Sequence, residues 1–182
     1  VTKVQALADA AVAVMSGAAG NTAPTLAQLQ LLGLTGVTAS NLVAVQNAIA
    51  NTADDGNAVD TLPELQGLIT TTNNLIADAI NTISMAAENN DATDSTPALT
   101  DYALASVTGV TADNLTSISS ALNSANVDGL ATDSTSEIQT VVDAYNMILA
   151  VADGTDDNDT LPTQLEYAAI GVEGVDNLVN EK

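Results

Sequence analysis

One stretch of this chain repeats itself. Residues 24–50 (PTLAQLQLLGLTGVTASNLVAVQNAIA) align without a gap on 97–123 (PALTDYALASVTGVTADNLTSISSALN), an offset of 73 residues. Eleven of the 27 aligned positions are identical, including the block TGVTA-NL at 35–42 and 108–115, so one fold must serve both copies. The offset carries on from DGNAVD (55–60) to DGLATD (128–133) and from ELQ (64–66) to EIQ (137–139). A third copy begins at LPTQLEYAAIGVEGVDNL (161–178), two residues shorter before its NL. The opening VQALADA (4–10) matches LQGLITT (65–71) and IQTVVDA (138–144), so the sequence starts in the last segment of a repeat. It stops early in the second segment of another.

Each copy reads as three helices. The first is short, near 25–33 and 97–106, with Pro24 and Pro97 expected in its first turn, where a missing N–H costs nothing. Its apolar residues are Leu26, Leu29 and Leu32, matched by Leu99 and Tyr102. The second follows Thr38 or Thr111 as N-caps and carries Leu42, Val45 and Ile49, matched by Leu115, Ile118 and Leu122. The third opens with Thr61-x-x-Glu64 and Ser134-x-x-Glu137, two capping boxes. Ile138, Val141, Val142, Tyr145, Ile148 and Leu149 line one face of it, and the copy starting at Leu65 runs on to about Ala87. Residues 4–19 match these third helices and are read as a mature helix, although a lysine before and small residues after give them a faint look of a signal peptide.

The stretches 86–96 (AAENNDATDST) and 153–160 (DGTDDNDT) vary in length and are Asp-rich, as linkers are. The expected fold class is therefore all-α: tandem three-helix-bundle modules joined by Asp-rich linkers. The boundaries drawn are 1–23, the third helix of a preceding or neighbouring module; 24–90 and 91–156, two modules; and 157–182, the start of a further one.

Composition then removes most functions. The only cations are Lys3 and Lys182 against 23 carboxylates, a net charge of −21, so nothing can neutralise nucleic-acid phosphates or an anionic membrane surface. His and Cys are absent, which excludes zinc, haem and iron–sulfur ligation and nucleophilic triads. Membrane insertion is not expected, because no run approaches the roughly 20 apolar residues of a span. No enzyme is expected. Yet 46% of residues are hydrophobic, enough for a core. Carboxylates at this density repel one another unless ions screen them, with a Debye length of about 8 Å at physiological ionic strength. Such a chain suits saline or calcium-containing surroundings, though acidity also simply confers solubility.

Calcium is the one candidate cofactor. The repeated D-G-x-A-x-D loop places Asp55 and Asp60 in one copy and Asp128 and Asp133 in the next, hard oxygens of the kind calcium takes. Turn chemistry explains the same residues: Asp-Gly forms turns, and Asp60 and Asp133 stand beside a helix N-terminus. Asp153, Asp156, Asp157 and Asp159 form a denser cluster. Neither stretch fits an EF-hand: with Gly56 sixth, Leu62 is twelfth, and a frame from Asp153 puts Asn158 at the glycine position. Tyr102 and Tyr167 share a repeat position with Leu29, which argues for packing over sugar binding.

The TGVTA-NL block, standing as TGVTASNL (35–42) and TGVTADNL (108–115) before an E-x-Q third helix, resembles the GA-like modules repeated in very large bacterial surface proteins of adhesin type. The third copy, GVEGVDNL (171–178), lacks the threonines. This resemblance implies three-helix bundles in a long array, on a cell surface or secreted. Albumin binding, the activity that names the family, has no residue pattern here to carry it over. The expected function is a non-enzymatic stalk or spacer of a bacterial surface adhesin, its Asp-rich junctions stiffened by calcium, with neighbouring copies of the module or chain as partners. Two alternatives stand beside it. One is a filament subunit whose helix 4–19, expected to lack partners in its own chain, completes the module begun at 161–182 of the next copy. The other is a binding module for a host protein or surface glycan.

Overall fold

The computed structural model describes residues 2–52, 59–88, 96–152 and 160–175. Among these residues the chain is helical, without strands: α1 (Lys3–Ala18), α2 (Leu26–Leu31), α3 (Leu42–Ala50), α4 (Leu62–Glu88), α5 (Leu99–Leu104), α6 (Leu115–Leu122), α7 (Thr135–Val151) and α8 (Gln164–Ala169), with a 3₁₀ turn at Gly129–Ala131. Among the described residues no helix is long and apolar enough to cross a membrane.

Two compact units divide the chain, Val1–Ile76 and Ala77–Lys182. The boundary lies within α4, away from the Asp-rich stretches that suggested boundaries at 24–90 and 91–156. In the N-terminal unit Leu29, Val45, Ile49 and Ile69 are fully buried, clustered with Val14, Ala18, Leu34, Val37 and Leu65. α1 therefore packs within its own chain, against α2 and α3, and is not left without partners. Its buried face is Ala10, Val14, Gly17 and Ala18, small residues that let the α2–α3 region approach closely. At Gly17 an added Cβ would meet the Pro24 ring at 2.8 Å. In the C-terminal unit the matching positions, Tyr102, Ile118, Leu122, Ile138 and Val142, are buried with Ile83, Ala87 and Ile170. So α4 gives Leu65 and Ile69 to one core, and Ile83 and Ala87 to the other.

Helices of six residues are too short to persist alone, so their ends carry the specification. α2 starts in a capping box: Gln28 N–H donates to Thr25 Oγ1 (3.3 Å) and Thr25 N–H to Gln28 Oε1 (2.8 Å). Thr163 and Glu166 make the same arrangement at α8, and Asp101 accepts from Ala98 N–H (2.7 Å) at α5. Pro24 and Pro97 stand just outside the N-caps Thr25 and Ala98, one place ahead of the expected first turn, because the cap itself needs an extended backbone. All three short helices end alike: Val107 N–H donates to Tyr102 C=O (2.9 Å) and Ser106 N–H to Ala103 C=O (3.1 Å), with Ser106 left-handed (φ 59°). Gly33 and Gly171 hold that position in the other copies, at φ 82° and 78°.

The longer helices follow the expected faces. α4 runs to Glu88, as its apolar period foretells; the Thr61 capping box forms, with Glu64 N–H donating to Thr61 Oγ1 (3.4 Å) and Thr61 N–H to Glu64 Oε2 (3.1 Å), and at α7 Ser134 Oγ accepts from Glu137 N–H (3.4 Å) and donates to Glu137 Oε2 (2.7 Å). α3 and α6 begin at Leu42 and Leu115, one turn after Thr38 and Thr111 rather than directly behind them. Leu115 N–H still donates to Thr111 C=O (3.0 Å), so the threonine opens the turn that leads into the helix. Leu99, expected to face inward, is 38% exposed.

Candidate functional site

The identical block forms a hydrogen-bonded clamp between the α2–α3 connection and α4, and again between the α5–α6 connection and α7. Gly36 is left-handed (φ 79°), and its carbonyl accepts from Asn41 Nδ2 (2.7 Å) and Asn73 Nδ2 (2.9 Å). Asn41 Nδ2 also reaches Asn73 Oδ1 (2.8 Å), and Asn41 Oδ1 accepts from Thr38 N–H (2.7 Å). Gln66 brackets Thr35, accepting its N–H (2.9 Å) and donating to its C=O (3.1 Å). The second copy repeats every bond. Gly109 C=O accepts from Asn114 (2.8 Å) and Asn146 (2.9 Å), Asn114 reaches Asn146 (2.8 Å), and Thr111 N–H donates to Asn114 (2.7 Å). Gln139 brackets Thr108 at 2.8 and 3.0 Å. Side chains thus bond several backbone groups of each connection, although most of its residues are exposed. An added Cβ at Gly36 or Gly109 would stand 2.9 Å from the Asn73 or Asn146 amide nitrogen, so glycine is needed for space as well as for φ.

Three of the candidate acids, Asp60, Asp128 and Asp133, lie among the described residues. Asp128 caps the 3₁₀ turn, accepting from Ala131 N–H (3.0 Å). Gly129 N–H donates to Glu88 Oε2 (3.0 Å) and Gly129 C=O accepts from Ser84 Oγ (2.8 Å), which latches the D-G loop to α4. Asp60 bonds Glu64, and that bond, with one from Thr61, holds the Glu64 carboxyl below its ordinary range. Asp133 is pushed up by its bond to Glu137 and by the charge of that residue, while Ser134 and then Asp133 pull Glu137 down. Among the described residues no group of three metal-ligating side chains converges. Asp55, Asp153, Asp156, Asp157 and Asp159 lie outside the described residues.

Tyr102 is 1% exposed and so closed to a sugar; burial pushes its hydroxyl up to about 12. Among the described residues that hydroxyl has no partner in hydrogen-bond geometry, although Ser119 stands near enough to oppose the shift. An open cavity of about 460 Å³ between α7 and α8 brings two carboxylates, Asp143 and Glu166, together with Ala144, Met147, Leu165 and Ala169. Both already accept bonds from their own helix or cap: Asp143 from Gln139 (2.7 Å), Glu166 from Thr163 N–H (2.7 Å). The Thr163 bonds also lower the Glu166 pKa, the reverse of what a general acid working near neutrality needs.

Compared with known protein families, with curated proteins and with solved structures, the chain finds no match.

The amides of Asn73 and Asn146 are the clamp members that sequence reasoning missed. They carry the same offset of 73 as Asn41/Asn114 and Gln66/Gln139, so extending the alignment along the third helix would have found them.

Proposed function

We propose that the chain is a non-enzymatic structural repeat, a spacer or stalk of GA-like type in a bacterial surface adhesin. One observation carries this reading: the residues that make the repeat recognisable are those of the clamp, and their polar groups are turned onto the backbone of their own unit. Repetition of such residues selects for a fold made again and again, where a ligand site would leave donors and acceptors free. The strong negative charge supports the same reading, since it keeps neighbouring chains apart in saline surroundings. In this view each repeat adds length, and the extracellular or cell-surface setting follows from the resemblance and the acidity.

The test is to insert further copies of residues 24–96 and measure the maximum dimension by small-angle scattering. A spacer grows by an equal increment per copy. Chains that gain mass without gaining that regular length would refute the reading.

A further inference from the structure

We propose that the N-terminal unit binds a basic amphipathic helix of a partner protein in the apolar groove between α1 and the start of α4. The groove, about 320 Å³ in volume, is lined by Ala11, Met15, Leu32, Val59, Leu62 and Leu65, with Asp60 as its charged member. Met15 on one bank is 44% exposed and Leu62 on the other 50%. The repeat supplies a reference for these residues. The buried face of α1, Ala10, Val14, Gly17 and Ala18, has the spacing of Ala79, Ile83, Ala86 and Ala87 in α4. In that register Met15 corresponds to Ser84 and Ala11 to Ile80, while the offset of 73 pairs Asp60 with Asp133, Leu32 with Ala105 and Leu62 with Thr135. The C-terminal unit leaves the matching groove open too, lined by Ala77, Ile80, Asn81, Ser84 and Asp133. There it runs beside the interior of α4, so its openness belongs to the repeat and not to a place in the chain.

The two grooves differ in chemistry. In the C-terminal unit Thr135 Oγ1 donates to Ala105 C=O (2.9 Å) and Ser84 Oγ to Gly129 C=O (2.8 Å), so both banks are tied into the fold. In the N-terminal unit Leu62 and Met15 put half-exposed apolar side chains in place of those hydroxyls. The fold thus does without an apolar groove in one copy, and the apolar banks of the other are left for a contact outside the unit. Shape and charge name the occupant. An open groove of this size takes a few apolar side chains, the anchors that a helix presents at i, i+3 and i+4. Asp60 forms one edge, and Glu64 lies one turn on, its carboxyl held below the ordinary range and so ionised at neutral pH. In a chain with 23 carboxylates and two lysines an acidic helix is repelled, and a basic one is drawn in with its cations beside these acids. The proposal stands apart from the spacer reading, and either can fail without the other.

Fluorescence anisotropy tests it, with the full chain titrated into a labelled amphipathic peptide of Leu and Lys at ~0.15 M NaCl. Saturable binding is expected. Met15→Ser combined with Leu62→Thr gives this groove the hydroxyls of its counterpart, leaves the charge unchanged and should weaken binding about tenfold. Asp60→Asn, a smaller change at the rim, should weaken it about two- to threefold through charge alone. Circular dichroism verifies that each variant keeps its helices. A peptide of the same pattern with Gln in place of Lys is expected to bind about tenfold more weakly than the Lys peptide. No binding to the wild type, unchanged affinity in either folded variant, or equal binding of the Gln peptide overturns the proposal. So does a wild-type mass that grows with concentration in light scattering without peptide, which would give the groove to a second copy.

Discussion

Ser106 sits at φ 59°, where the other two copies place Gly33 and Gly171. A side chain in the left-handed region costs about 1–2 kcal/mol, partly offset by the greater freedom glycine loses on folding. Ser106→Gly is therefore expected to stabilise the C-terminal unit by about 0.5–1 kcal/mol, read as a higher urea midpoint; a lower midpoint would contradict the strain argument. Tyr102 carries a pH signature. Its pKa is about 12 in the fold against 10.0 for the free side chain, so the stability tied to its proton is complete below pH 10. It is lost as pH rises through 12, up to about 2–3 kcal/mol in all. Tyr102→Phe removes a buried hydroxyl without a partner, so it should change little at neutral pH and flatten the alkaline loss. Urea titrations of both proteins at neutral and alkaline pH check this, and equal alkaline losses would refute it.

The element that matters most is the clamped connection between two short helices. Asn146→Ala removes one donor to Gly109 C=O and the acceptor for Asn114, at an expected cost of about 1–3 kcal/mol; Asn73→Ala should cost about as much in the N-terminal unit. Denaturant titration of each variant measures the cost, and a loss below about 0.5 kcal/mol in both would make the clamp ornamental. The capping residues Thr61, Glu64, Ser134 and Glu137 were legible before the fold was known, because a cap is local chemistry within a few residues. The clamp reaches 31–37 residues along the chain, so only its repetition, not its spacing, marked it.

For the molecule as a whole, charge is the dominant long-range term. Twenty-three carboxylates face two lysines, and among the described residues several acids accept bonds at helix starts, as Glu64, Asp101 and Glu166 do. Raising NaCl from about 0.01 M to about 1 M shortens the Debye length from about 30 Å to about 3 Å, so the melting temperature should climb. Calorimetry along that series would show it; a melting temperature indifferent to salt would mean the carboxylates are already compensated.

Helix class, repeat length and the inward-facing positions Leu29, Val45, Ile49, Ile118, Leu122 and Ile138 follow from the sequence by itself, because apolar period and capping chemistry are local and were written twice. Which segments share a core was decided only in the tertiary structure. α1 and α4 each carry more than one apolar face, and periodicity marks a face without saying what covers it. Packing settled that Val14 meets the α2–α3 core and that Ile83 and Ala87 leave the helix's own repeat for the next. The acids followed the same rule: in the sequence Asp128 and Asp133 fitted a calcium loop or a turn beside a helix start, and the fold sets Asp128 against Ala131 N–H and Asp133 against Glu137.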